Sequence, residues 1–308
     1  MQTAQTVMMV RPAAFRANPE TLTSNAFQKP LSAVEDVAEQ ARAAFDGYVA
    51  ALRNAGVDVL VIDDNAKSET PDSLFPNNWI AMLEDGTIYT FPMEAHNRRR
   101  ERRMDIIADL TRDFVVSRRV DLSGFETRNL YLEGTGSLIL DHDNHIAYAC
   151  RSSRSSWEAG QEFERLSGYH IHWFNACDRH LQSIYHTNVM MSVGAQFAIV
   201  CLQSLTSKLE RLRLVTLLER TGKTIIDVTY AQMEAFACNV LELRNHFGQP
   251  VYAMSTRAWE SFTPEQQALI SGYASLALAP INIIEDLGGG GARCMVAEIF
   301  LEKKRVFI

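Results

Sequence analysis

Leu132-Glu133-Gly134-Thr135-Gly136 opens a β-rich stretch that runs to Cys150, with Asp141-His142-Asp143-Asn144 in its middle. It reads as a short polar corner followed by strand, turn and strand. Four other stretches share the layout: Pro76-Asn77-Asn78-Trp79, Tyr185-His186-Thr187-Asn188, Ala237-Cys238-Asn239-Val240 and Gly291-Ala292-Arg293-Cys294. Asn78, Glu133, Asn188, Asn239 and Cys294 follow one another at intervals of 55, 55, 51 and 55 residues. A period of this size marks repeated supersecondary units that bury their faces only by packing together.

An amphipathic helix and a β-rich run precede each corner. Val34, Val37, Ala41, Ala44, Phe45, Val49 and Leu52 form the first apolar stripe, Gly56 stops it, and the segment from Val57 to Ile62 is expected as a buried strand. The order returns with Met104, Ile107 and Leu110 before a run from Phe114 to Leu122, and with Trp157, Phe163 and Leu166 before Tyr169 to Phe174. A fourth helix carries Leu212 and Leu217 ahead of Thr224 to Val228, and a fifth carries Leu269, Ile270 and Tyr273 into Ser275 to Ile284. Ser155 with Glu158, Ser207 with Glu210, and Thr263 with Pro264 and Gln266 read as capping signals. The pattern predicts an α/β protein of five units, each helix, strand, then hairpin.

The 308 residues are 47% apolar and 22% charged, which is enough for a large core over a single domain spanning 1–308. A net charge of −7 gives no general attraction to nucleic acid or anionic lipid. The basic run from Arg98 to Arg103 is broken by Glu101 and has no interleaved aromatics, so it reads as a solvated first helical turn. Met1 to Gln5 lacks a signal-peptide pattern and no apolar run reaches the length of a membrane span, which predicts a soluble, cytoplasmic protein. Cys150, Cys177, Cys201, Cys238 and Cys294 have no C-x-x-C spacing, so neither a disulfide framework nor structural zinc is expected. His170 and His172 share one face of a strand but lack a third ligand at a suitable spacing, so no metal is expected. No phosphate-binding glycine motif is present, and no cofactor is expected. Homo-oligomerisation is left open.

Five units around an approximate axis would bring Asn78, Glu133, His186, Asn188, Asn239 and Cys294 to one place. Cys294 follows Leu287-Gly288-Gly289-Gly290-Gly291, a run expected to be flexible and to let backbone amides approach a ligand, and Arg293 is expected to favour its thiolate. His186 is the natural proton donor and acceptor for such a nucleophile.

In this order the motifs resemble those of the guanidino-group-modifying superfamily of arginine deiminases, dimethylarginine hydrolases and amidinotransferases, the penteins. The likeness is strongest to arginine-deiminase-related citrulline hydrolases, and rests on the segments 75–80, 132–136, 186–188, 238–242 and 290–295. It implies a five-bladed α/β propeller with the site on its axis. It further implies Cys294 as nucleophile, His186 as general acid and base, and Glu133 as a carboxylate that binds substrate N–H groups. Arg98, Arg99 and Arg154 would bind the carboxylate of a small amino-acid substrate, with Asn78, Asn188 and Asn239 as further contacts.

One departure bears on the substrate. Arginine deiminases carry carboxylates where this chain has Asn78 and Asn188. Two carboxylates suit a cationic guanidinium, whereas two carboxamides suit a neutral ureido group, which offers both N–H donors and an oxygen acceptor. The expectation is a cysteine-dependent hydrolase that converts citrulline to ornithine, ammonia and carbon dioxide. The alternatives are arginine deimination or methylarginine hydrolysis, then amidino transfer, then a non-catalytic binding protein on the same scaffold.

Overall fold

A computed structural model describes residues 1–22, 24–29 and 36–304. Its strands repeat one pattern in threes. β1 (Thr6–Arg11) pairs parallel with β2 (Asp58–Asp63). β3 (Ile80–Met82) runs antiparallel to β4 (Thr87–Thr90), which is parallel to β5 (Arg118–Asp121). The pattern repeats in β6 (Ile139–Asp141), β7 (Ile146–Cys150) and β8 (His170–Phe174). It returns in β9 (Met191–Val193), β10 (Phe197–Val200) and β11 (Thr224–Asp227), and in β12 (Leu241–Arg244), β13 (Pro250–Ser255) and β14 (Ser275–Ala279). β15 (Ala297–Ile299) pairs antiparallel with β1 and so completes the unit of β1 and β2. β15 also touches β3, which joins two units into one six-stranded sheet in the order β2-β1-β15-β3-β4-β5.

A parallel neighbour cannot be reached by a tight turn, so each unit needs a crossover. Five helices supply it: α1 (Val37–Asn54), α2 (Met104–Asp113), α3 (Trp157–Ser167), α4 (Lys208–Arg220) and α5 (Pro264–Tyr273). Each sheet therefore gathers a hairpin with the strand after the next helix. The expected order of helix, strand and hairpin is the same cycle cut at another point.

The helices follow their sequence signals unevenly. α1 buries Ala41, Phe45, Tyr48, Val49 and Leu52, while Val34 lies outside the described residues. Burial of a phenylalanine such as Phe45, which is fully covered, contributes roughly 1.5–3 kcal/mol. Thr263 and Gln266 make the expected reciprocal cap on α5 with Pro264 in its first turn, and Ser207 accepts from the Glu210 N–H at the start of α4. The cap of α3 is Ser156, not Ser155, and its hydroxyl donates to the Tyr131 carbonyl at 2.7 Å instead of capping the helix. Ser155 instead pairs through its backbone with Leu132 and Ser152, which takes it out of the helix. Met104, Leu212 and Leu269 face solvent, because Ile106, Leu214 and Ile270 take the sheet-facing positions of their helices.

The outer strands also differ from expectation. β2 is half-buried because it is the edge of its sheet, and only Arg118–Asp121 of the run from Phe114 to Leu122 forms a strand, at the opposite edge. The run from Ser275 stops at Ala279, and Ile284 belongs to a sixth helix, α6 (Asn282–Gly288). Leu287 and Gly288 are thus helical, and Gly289 closes α6 at φ 61°, so the expected flexible glycine run is mostly an ordered helix end. No described helix is long and apolar enough to cross a membrane.

Candidate active site

Each short motif stands just before the first strand of its unit, so all five share one end of the strand pattern. Contacts run from motif to motif. Gly134 and Gly136 lie against Asn77 and Asn78, Thr187 Oγ1 donates to the Ser137 carbonyl at 2.6 Å, and Asn239 Nδ2 donates to the Asn188 carbonyl at 3.0 Å. Asn239 Oδ1 accepts from the Arg293 N–H at 3.1 Å, and Gly290 packs on the ring of Phe75, the residue before the first motif. The set of contacts returns to its start.

A narrow cavity of about 260 Å³, mouth included, opens at these motifs between Asp72, Asn78, Arg98, Arg154, Tyr185, His186 and Cys294. Thr21 and Asn25 of the N-terminal loop also line it. Cys294 is 3% exposed, and its Sγ accepts from Asn188 Nδ2 and Asn239 Nδ2, both at 3.2 Å. Burial pushes the thiol above the usual range, and the two carboxamides and the Gly291 backbone pull it back. The charge of Arg293 also pulls it down, as expected, though without a hydrogen bond to the sulfur. That guanidinium turns to the Val296 carbonyl and to Glu298, both at 3.0 Å, because its neighbouring strand offers acceptors on that side.

His186 Nε2 lies 2.8 Å from Glu133 Oε2. Burial lowers the imidazole to about 4 although Glu133 opposes it, so His186 is neutral at pH 7. Burial alone would raise Glu133, but Arg154, His186 and Arg98 outweigh it and hold the carboxyl well below its ordinary range. The ionised Glu133 therefore accepts from Nε2–H and leaves Nδ1 as the proton acceptor. Its other oxygen accepts from the Glu94 N–H at 2.9 Å. Both oxygens of Glu133 are thus engaged, one of them by His186, and the carboxylate has no exposure and is not among the residues that line the cavity.

The arginines divide. Arg98 forks onto Glu101 at 2.9 and 3.0 Å, donates to Asn78 Oδ1 at 2.9 Å and lies 3.7 Å from Asp72. It is a buried, paired group and not part of a solvated helical turn. Arg154 stacks over Tyr185 at 4.9 Å and donates to Ser24 Oγ at 2.6 Å. Its Nε has no hydrogen-bond partner, since Glu94 at 3.3 Å is out of line. Arg99 is absent from the cavity: it donates to the Met93 and Glu94 carbonyls and lies near Glu126, because the turn over Asn97–Glu101 points it to the other side. Asn188 and Asn239 also sit at the thiol instead of lining the cavity.

Gly136 has no room for a side chain, because a Cβ would collide with Asn78 Nδ2 and stand 2.9 Å from His186 Nδ1. Gly136→Ala is therefore expected to displace both and cut kcat/KM by about 10²-fold, with an unchanged circular-dichroism spectrum. Steady-state kinetics checks it.

Residues 11–301 match the family model described as "N,N dimethylarginine dimethylhydrolase, eukaryotic". The chain belongs to this family. It is thereby a hydrolase acting on C–N bonds, within the pentein superfamily of arginine-modifying enzymes. The fold is similar to that of the N-terminal domain of ArgZ, an arginine dihydrolase from the ornithine-ammonia cycle in cyanobacteria, solved with bound substrate. That likeness has a TM-score of 0.73 at 12% identity over 96% of this chain and 97% of the other. Unliganded AgrE gives 0.70 at 16% identity over 98% of this chain and 40% of its own. A dimethylarginine dimethylaminohydrolase variant carrying an S-methyl-L-thiocitrulline adduct gives 0.62 at 14% identity over 96% and 100%. No curated protein matches.

Sequence reasoning missed Asp72. Its Oδ2 accepts from Asn18 Nδ2 at 2.7 Å, while its buried Oδ1 has no partner and belongs to the cavity lining. Nothing marks it in Thr70-Pro71-Asp72-Ser73, which reads as a plain turn. A larger, open groove of about 1140 Å³, mouth included, beside Arg53, Val59, Phe114 and His246 is lined by no cysteine, so volume alone does not mark the candidate site. Among the described residues no group of three or more His, Cys, Asp or Glu could hold a metal ion.

Proposed function

We propose that the protein, as one catalytic unit over residues 1–308 built as a five-bladed α/β propeller, hydrolyses the ureido group of citrulline. The observation that carries this reading is the surrounding of Cys294 Sγ: two carboxamides touch it, and the nearest motif carboxylate, Glu133, is occupied by His186. A guanidinium carbon placed over the thiol would bring a cation to a spot without a free anion, which costs more than bringing a neutral ureido group. At the amino-acid end, Asp72 Oδ1 and Arg154 Nε are buried and unpartnered, and they match an ammonium and a carboxylate.

Cys294 sulfur, having given up its proton to neutral His186, attacks the ureido carbon. The bond from that carbon to the δ-nitrogen then breaks as the imidazolium, supported by Glu133, returns the proton to the departing amine. Ornithine leaves and the carbamoyl group stays on sulfur. Water, deprotonated by His186, displaces the thiolate to give carbamate, which decomposes to ammonia and carbon dioxide.

The second reading is hydrolysis of arginine or a methylated arginine. The family description and the unpartnered Oδ1 of Asp72 favour it. Citrulline, arginine and N,N-dimethylarginine offered in parallel, with products identified by mass spectrometry, separate the two. Citrulline is expected to lead by about tenfold or more in kcat/KM, equal to ~1.4 kcal/mol of transition-state discrimination. A tenfold lead for arginine overturns the ureido reading.

A further inference from the structure

We propose that Asn239 and Asn188 form a carboxamide cradle for the Cys294 thiolate, with Asn239 as a locked positioning residue and Asn188 as its adjustable partner. The proposal rests on the reading of Cys294 as the nucleophile and extends it to how a buried sulfur is activated without a cation hydrogen-bonded to it.

The orientation of Asn239 is dictated by its surroundings. Its Oδ1 faces the backbone N–H groups of Arg293 and Cys294, at 3.1 and 3.4 Å, and those groups can only donate. The amide nitrogen must then point the other way. One of its hydrogens goes to the Asn188 carbonyl at 3.0 Å and the other to Sγ at 3.2 Å. Every capacity of this side chain is used, at 1% exposure, so it has little freedom to turn. Gly291 leaves the space, since a Cβ there would come within 2.8 Å of Asn239 Oδ1.

Asn188 differs in one respect. Its Nδ2 also donates to Sγ at 3.2 Å, but its buried Oδ1 has no partner. That orphan oxygen beside the nucleophile is an acceptor held for an N–H of the reacting group, and a ureido or guanidino carbon carries such groups. Asn188 thus donates to the sulfur and keeps one acceptor free, whereas every capacity of Asn239 is taken.

Two N–H dipoles aimed at one atom matter little to a neutral thiol and much to a thiolate, because a hydrogen bond to an anion is about twice as strong as a neutral one. Fixed dipoles in a water-poor site need no reorganisation when the charge appears. A neutral substrate brings no cation to help form the thiolate, so the protein must supply that stabilisation itself. The charged or titratable groups that act on Sγ or share its cavity are Arg293, Tyr48, Tyr185, His186, Asp72, Arg98 and Arg154, and none of them makes a hydrogen bond to the sulfur as the two amides do.

The test is the pH dependence of Cys294 alkylation by iodoacetamide, read peptide by peptide by mass spectrometry on the full chain without substrate. Asn239→Ala and Asn188→Ala should each raise the apparent pKa of Cys294 by about one unit, which is about tenfold less thiolate at a given pH. Asn239→Asp keeps an acceptor for the two backbone N–H groups but loses the donor and adds a negative charge, and should raise it further. In Asn239→Ala, kcat/KM should fall near neutrality and recover as the pH rises, which a merely structural loss would not produce. An unchanged alkylation profile in folded Asn239→Ala, or in Asn188→Ala should the first not fold, overturns the cradle while leaving the nucleophile in place. Turnover retained by Cys294→Ser would instead overturn the nucleophile and the cradle with it.

Discussion

Replacing Cys294 by serine is expected to lower kcat by about 10⁴-fold or more and to leave the fold intact. The two side chains are nearly isosteric and Asn188 and Asn239 can donate to either, so packing gives no reason for collapse. The chemistry does change. A serine hydroxyl is a far weaker acid than a thiol, and in its neutral form a far weaker nucleophile, so the attacking anion is much harder to form. Cys150→Ser is the control: that thiol bonds the Ile184 carbonyl, lies outside the cavity lining, and is pushed by burial to about 12. Ornithine release and thermal melting on both variants decide the matter, and turnover of Cys294→Ser within about tenfold of wild type would refute the assignment.

Glu133→Gln is the second large effect. The substitution keeps the shape but removes the charge that His186 needs when it becomes an imidazolium, and that Arg154 and Arg98 face at 3.5 and 3.8 Å. Loss of an oriented acid and base costs 10²–10⁴ in rate, so a fall of about 10³-fold in kcat is expected. Removing one partner of a buried ionic group also leaves the others uncompensated, at about 3 kcal/mol of stability. The effect has a defined pH sense. The folded value of Glu133 lies below its ordinary 4.5, so its contribution is complete above pH 4.5 and is lost as the pH falls through the folded value. The difference in Tm between wild type and variant should therefore be widest near neutrality and narrow in acid. A gap that widens on acidification would contradict the role given to this carboxylate.

The fold was legible wherever it depended on period. Five helical stripes, five β-rich runs and corners near 55 residues apart follow from local composition, and each has its counterpart in the three-strand pattern. Edges were not legible, since nothing in Val57 to Ile62 says that no further strand will cover β2. At the site, residues lying on a repeat position, such as Cys294 and His186, were readable because the spacing itself points to them. Asp72 and Arg293 depend on where a side chain turns within a corner. The sequence of Arg293 next to Cys294 suggests help for the sulfur, and its charge gives some, but its hydrogen bonds go to Val296 and Glu298. Arg99 and Arg98 are neighbours in sequence and a turn sends them to different sides, which no composition reveals.

The pairing of β15 with β1 has a bearing on how the protein is made. β1 leaves the ribosome ahead of the other described strands and β15 after them, and Cys294 emerges only three residues before β15. A nascent chain of intermediate length lacks the strand that links the unit of β1 and β2 to the unit of β3, β4 and β5, and it lacks the sulfur as well. His186 and Glu133 can already be in place by then, but they are inert without a nucleophile. On the proposed role of Cys294, the joining of these two units and the arrival of the nucleophile thus fall within the same short interval of translation, and an unfinished chain has no reactive thiol at this site to expose to the cell.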